Sequence, residues 1–184
     1  MSASLSLRNK TSPLPEGPDA SSPNWYALYT CSRHEKQVAG QLQQRNVEFF
    51  LPLYISLRRW KDRRVQVPLP LFPGYVFVNI RLQDRIAVLD IPGAVRFVAF
   101  NGSPAALPES DLIRLRSGLE QGLRAEPHPY LKIGRRVRVR SGPLAGAEGI
   151  LVRKKDRFRL VVSIEFIMRS VAVEIDAADV EPVQ

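Results

Sequence analysis

The 184-residue chain has one cysteine, Cys31, and only two histidines. A single cysteine excludes an intramolecular disulfide and fits a reducing compartment, so a cytoplasmic location is expected. One Cys and two His supply neither a structural zinc set nor an oriented nucleophile and base. Cys31 and His34, close in sequence, read as a buried or half-buried thiol and a surface imidazole. No paired carboxylates flank a cleft signal. The glycine-rich GPLAG at 142–146 lacks the Gly-Lys-Ser/Thr and the strand-loop-helix setting of a phosphate loop, and reads as tight turns. No catalytic residue, metal site or cofactor is therefore expected. Long hydrophobic runs are missing as well, so no membrane partner is expected. The Ser- and Pro-rich residues 1–23 have no apolar stretch of signal-peptide length and read as a disordered tail.

Acidic residues are the minority among charges. The 27 Lys and Arg against 18 Asp and Glu give +9 and a pI near 10.2, which favours a polyanionic partner or a machine that is itself bound to nucleic acid. With 45% hydrophobic and 24% charged residues the chain can bury a core, and its length suits one medium domain or two small ones.

Two kinds of patterning divide the chain. WYALYT at 25–30 reads as a buried strand, and Ser32 offers an N-cap for an amphipathic helix with Val38, Ala39 and Leu42 on one face, Glu35 off that face, and Asn46 as a stop. EFFLPLYISL at 48–57 reads as a strand bent or edged at Pro52, followed by a charged hairpin that returns at Val65–Leu69. LFPGYVFVNI at 71–80 opens on a Pro-Gly turn and alternates as a strand. Leu82, Ile86 and Leu89 have helical spacing, Ala94–Phe100 reads as a strand and NGSPAALPES as a loop, and Leu112, Leu115, Leu119 and Leu123 mark a further helix face. Residues 24–124 thus read as an α+β layer, an antiparallel sheet with flanking helices. Two prolines make 125–131 a linker, and 132–184 carries short strands between Gly, Pro and charged turns, as in a small SH3-like β-barrel.

Candidate contacts follow from chemistry. Arg58, Arg59, Lys61, Arg63 and Arg64 at the hairpin tip can meet phosphates, with Trp60 either stacking on a base or folding back onto the sheet. Residues 24–100 hold 11 bases and 5 acids, a net of +6 that tilts the reading towards contact. Arg33, His34 and Lys36 at a helix N-terminus form a second anion candidate or a polar helix face. A further basic hairpin, Arg153 to Arg159, reads as a solvated turn. Among Tyr29, Phe72, Tyr75 and Phe77, some must be core. Tyr75 and Phe77 share one strand face and Val76 and Val78 the other, so one face packs on helices and the second is a candidate docking patch.

WYALYT, LFPGYVFV, IPGAVRFVAFNG at 91–102 and GRRVRVRSGPLAGAEGILV at 134–152 together resemble the NusG family of bacterial transcription elongation factors, over residues 24–184. RHEKQVA, LPLY and RRWKDRRV are similar to its specialised RfaH- and UpxY-type branch. The general factor's Ile-Phe-Gly-Arg segment is replaced here by EFIMRSVAVEID after Ser163 and Ile164. The resemblance implies a KOW barrel at the C-terminus, with Gly142, Pro143, Gly146 and Gly149 in the family's positions. It implies a monomeric, non-enzymatic factor that docks on the clamp helices of RNA polymerase through Tyr29, Phe72, Pro73, Tyr75, Phe77 and Phe100 and suppresses pausing or termination. Arg33, Lys36 and the basic hairpin would then face upstream or non-template DNA, the turn from Asp84 to Arg96 would lie where specialised members read the exposed strand, and the KOW domain would recruit a second protein, either a ribosomal protein or Rho. Specialised members can refold that domain into a helical hairpin that masks the docking patch; β-branched residues in VRVR, LVV and VAV favour the barrel. The competing expectation is a KOW-containing RNA-binding protein of ribosome assembly or translation.

Overall fold

A computed structural model describes residues 21–60, 63–128, 135–154, 157–164, 167, 169–176 and 179–183. Strand β1 (Asn24–Thr30) leads through Arg33, at φ +65°, into helix α1 (Glu35–Gln44). Ser32 is not the cap. His34 occupies that position, and its Nδ1–H donates to the Ser32 carbonyl at 3.0 Å. Asn46, at φ +54°, ends the helix in the left-handed region that asparagine tolerates.

Pro52 divides the next run into β2 (Glu48–Phe50) and β3 (Leu53–Trp60). Strand β3 pairs with β4 (Arg63–Pro70) alone, forming a two-stranded arm whose tip, Lys61 included, lies outside the described residues. Strand β5 (Tyr75–Ile80) returns to the main sheet. The segment after it differs from its predicted form. A 3₁₀ turn (Leu82–Asp84) precedes the short α2 (Arg85–Leu89), and the change of phase buries Val88 while Ile86 is exposed. The expected strand to Phe100 is interrupted at Val98, whose N–H donates to Ala27. It forms β6 (Ala94–Phe97) and β7 (Ala99–Phe100), the latter hairpinned to β8 (Ser103–Pro104) over Asn101 and Gly102. Both turn residues have positive φ, the requirement of a two-residue hairpin turn. Strand β9 (Ala106–Leu107) pairs with the start of β1, and α3 (Glu109–Glu120) follows.

The central sheet runs β2-β5-β1-β6, antiparallel throughout. In its register Leu28 faces Val76 and Ala27 faces Phe77. Tyr26, Leu28, Val76 and Val78 pack against Val38 and Leu42 of α1.

A second antiparallel sheet comprises β10 (Ala125–His128), β11 (Arg135–Val139), β12 (Glu148–Lys154), β13 (Arg157–Ile164), β14 (Arg169–Ile175) and β15 (Val180–Pro182), in the order β10-β14-β13-β12-β11-β15. The fold class is the expected mixture of helices and antiparallel sheets. Among the described residues the C-terminal ladder is open between β10 and β15. Residues 125–128 are a strand where the prolines predict a connector. Pro127 is accommodated because β10 is an edge, so its missing N–H costs no ladder bond on the outer side. Gly149 sits where β12 meets β13 so closely that a Cβ would stand 2.5 Å from the Val161 carbonyl oxygen.

Candidate protein-docking face and basic arm

The outer face of the central sheet carries most of the predicted aromatics. Tyr29 and Tyr75 are directly paired across β1 and β5 and their rings lie 5.4 Å apart. Both are half-buried. The Arg96 guanidinium stands 5.2 Å from the Tyr29 ring and that of Arg169, from the C-terminal sheet, 5.8 Å from the Tyr75 ring, distances at which a cation is attracted to an aromatic face. Pro73 is exposed on the turn before β5.

Phe72 and Phe77 are not at the surface. They are 1% and 0% exposed, edge to face at 5.4 Å. The cover comes from α3 and from the C-terminal sheet with its β11–β12 connection. A single buried cluster joins Trp25, Phe72 and Phe77 to Leu144, Val171 and Val173, with Leu112 of α3 between them. The Leu144 side chain lies against Gly118 of α3, and the Arg114 guanidinium lies against Gly146. A cleft of about 300 Å³ remains at this junction, lined by Phe72, Leu115, Leu144 and Val162 among others. Phe100 is apart from this set, 63% exposed beside the Asn-Gly hairpin turn.

The predicted nucleic-acid contacts concentrate on the arm and the start of α1. Arg58, Arg63 and Arg64 are exposed on the arm, and Arg33 is exposed beside α1. The Lys36 ammonium donates to the Pro68 carbonyl of β4 at 2.7 Å, which ties the two sets together. The side chains of Arg59 and Trp60 lie outside the described residues, as does all of Lys61. The arm also carries Leu53, Ile55 and Leu57 on one face, exposed along a cleft of about 750 Å³ whose other wall includes Leu123, Glu126 and Arg159. Arg159 pairs with Glu126 and Glu174, fastening β10 to the sheet.

Several contacts were not legible from local pattern. Arg96 and Arg169 meet the tyrosine pair from distant elements. Arg116 lies 5.4 Å from the Trp25 ring and 4.9 Å from that of Phe50. Glu35, placed off the apolar helix face by its spacing, is buried, and Cys31 is exposed rather than buried. Charge also shapes the C-terminal sheet: the Arg138 hydrogen bond at 2.6 Å holds the Glu148 carboxyl below its ordinary range. No group of three or more His, Cys, Asp or Glu able to hold a metal occurs among the described residues, and no helix there is long and apolar enough to cross a membrane.

A family model described as transcription termination factor NusG matches residues 23–116, just over half of the chain. Curated relatives extend the likeness. The chain is 28% identical over 174 residues to a transcription termination/antitermination protein NusG of Staphylococcus aureus, covering 85% of this chain and 94% of that one. It is 24% identical over 165 residues to the protein of that name from Rickettsia felis, covering 83% and 86%. A solved NusG structure from Thermotoga maritima superposes with a TM-score of 0.54 at 23% identity, covering 90% of this chain and all of that one, which supports the fold. The family model and the curated relatives together support a role as a transcription regulator. The chain belongs to the NusG family.

Proposed function

We propose that this regulator binds elongating RNA polymerase at the clamp helices through the outer face of its central sheet and suppresses pausing or termination by holding the clamp closed. The observation that carries the reading is the double-sided apolar sheet. Its inner face is filled by α1, and the outer face, with Tyr29, Phe72, Tyr75 and Phe77, is apolar too and is covered only in part by α3 through Leu112, the rest of its cover coming from Leu144, Val171 and Val173. Such a face needs a cover, whether from within the chain or from a partner.

In this arrangement the C-terminal sheet supplies the rest of that cover, so polymerase and the C-terminal sheet compete for one surface. Tyr29, Pro73 and Tyr75, at its accessible margin, make the first contact, and Phe72 and Phe77 engage once the sheets part. The Thermotoga maritima structure concerns a domain interaction in that protein, which agrees with such a competition here. The units that separate are residues 24–124 and the C-terminal sheet, which begins with β10 at Ala125. Displacement frees the C-terminal KOW sheet to recruit a second protein, while Phe100, on its exposed hairpin, contributes at the edge of the polymerase contact. Exposed Arg33, Arg58, Arg63 and Arg64, with Arg59, Lys36 and Lys61, face upstream or non-template DNA, where each neutralised phosphate adds salt-dependent affinity. The site of action is the cytoplasm, where polymerase works in bacteria.

The test is polymerase binding by Tyr29→Ala/Tyr75→Ala, two half-buried positions whose loss leaves Phe72 and Phe77 in place. The expected result is at least about a tenfold weaker complex, the scale of a lost aromatic anchor, at an unchanged melting temperature. Wild-type affinity in the folded double variant would refute the docking reading.

A further inference from the structure

Three consecutive side chains at the start of α1 grip three different elements. The His34 side chain lies against Gly93, in the turn before β6. The Glu35 Oε1 accepts the Gly74 N–H at 2.7 Å, and the Lys36 Nζ donates to the Pro68 carbonyl, also at 2.7 Å. We infer that Glu35 is a positioning residue for the protein-docking face: its buried carboxylate fixes the Phe72–Gly74 turn in the form that presents Pro73 and Tyr75, while Lys36 holds the arm to the same helix turn.

Burial is the first argument. Glu35 is 5% exposed, and a carboxylate is costly to bury unless its oxygens are hydrogen-bonded. At the first turn of a helix a glutamate already interacts favourably with the helix dipole from the surface, so nothing in α1 itself requires it to turn inward. The Gly74 N–H does. Gly74 has φ +85°, a conformation that glycine alone adopts without strain, and a Cβ there would come within 3.2 Å of the Tyr29 ring.

The second argument is that the Gly74 peptide is held from both sides. Its carbonyl accepts the Thr30 N–H at 2.9 Å, from the end of β1, while its N–H donates to Glu35. The Tyr75 N–H in turn donates to the Phe72 carbonyl at 3.1 Å, closing the turn. Loss of the carboxylate leaves one anchor of two and an unpaired N–H in a part-buried place. The turn would then relax under Tyr29 and Tyr75, the two rings that form the accessible margin. The sequence pattern HEK acquires a physical meaning: each side chain reaches one of the elements on which the binding surfaces are built.

This inference rests on the docking reading given above, and the experiment separates the two. Polymerase affinity is measured for the full chain carrying Glu35→Ala, Glu35→Gln or Tyr75→Ala, with amide exchange of Gly74 and Val76 followed by NMR. Glu35→Ala is expected to weaken polymerase binding about tenfold and speed Gly74 exchange at least about tenfold, with Val76 unchanged, the scale of one charge-assisted hydrogen bond. Glu35→Gln, which keeps the acceptor, is expected to bind within about threefold of wild type. If Tyr75→Ala binds as wild type, the docking reading fails. If Tyr75→Ala is weakened while Glu35→Ala is not, or if Gln and Ala lose equally, the positioning role is overturned. Should Glu35→Ala fail to fold, Glu35→Gln decides: a protected Gly74 amide with near-wild-type affinity supports the role, and an unprotected amide with near-wild-type affinity overturns it.

Discussion

The two faces of the central sheet are both apolar and are covered in different ways. On the inner face Val76 and Val78 meet α1, a helix separated from β1 by only four residues. On the outer face Phe72 and Phe77 share a cluster with Leu112 of α3 and with Leu144, Val171 and Val173, which lie some seventy to a hundred residues further along the chain. The first cover is part of the fold, because removing α1 would remove half of a core whose turns and strands are local to it. The second joins two sheets that each have their own ladder, and its contact can open without breaking a strand pair of the central sheet. Under the proposed function, buried apolar surface serves stability on the inner face and exchangeable contact on the outer one.

The largest effect that would sharpen this contrast is on the inner face. Leu42→Ala should cost roughly 2–5 kcal/mol, the range for a buried leucine truncated in a packed core, read in urea unfolding, with no expansion of the native protein. Leu144→Lys acts on the outer face. An ammonium placed against Gly118 and the Phe72 cluster loses a buried leucine worth about 1.5–3 kcal/mol. That shift should open the two sheets, seen as a larger radius of gyration in X-ray scattering while the central sheet unfolds at its usual denaturant concentration. If Leu144→Lys stays compact, the outer contact is as permanent as the inner one.

Smaller effects arise from titration. Tyr26 is completely buried, and its hydroxyl has no hydrogen-bond partner among the described residues. Burial raises its phenol above the ordinary 10.0, so the associated stability is intact below pH 10 and is lost as pH rises through the higher folded value. Tyr26→Phe should abolish that alkaline loss at a change of about 1 kcal/mol or less at neutral pH. Glu148 works in the opposite sense and on the other sheet. Its carboxyl is held below the ordinary 4.5 by the hydrogen bond from Arg138, so its contribution is present above pH 4.5 and fades as pH falls through the lowered value. Glu148→Gln should remove this small acid dependence of the β11–β12 pairing, monitored by amide exchange, and leave α1 untouched.

What was legible in the sequence follows the same division. Strands β1 and β5 were readable because alternation, aromatics and the Pro-Gly turn are local signals, and the arm because two apolar runs flank a charged tip. The paired faces of Tyr75–Phe77 and Val76–Val78 came from the period of two alone. Helix α2 departs in phase from the sequence pattern, because Leu82 belongs to the 3₁₀ turn Leu82–Asp84 and Ile86 to the α-helix that follows. Strand β10 is hidden in the sequence by Pro127, which an edge tolerates. The burial of Phe72, the inward Glu35 and the arginines over Tyr29 and Tyr75 depend on surfaces brought together from remote positions, and no periodicity encodes such a meeting.

Polymerase affinity of Leu144→Lys tests the central claim most directly, because it touches the cover and leaves every proposed polymerase contact intact. If the C-terminal sheet and polymerase compete for the outer face, this variant binds polymerase more tightly than wild type, by about tenfold for each 1.4 kcal/mol removed from the closed form. Unchanged or weaker binding by an opened, folded Leu144→Lys would contradict the account.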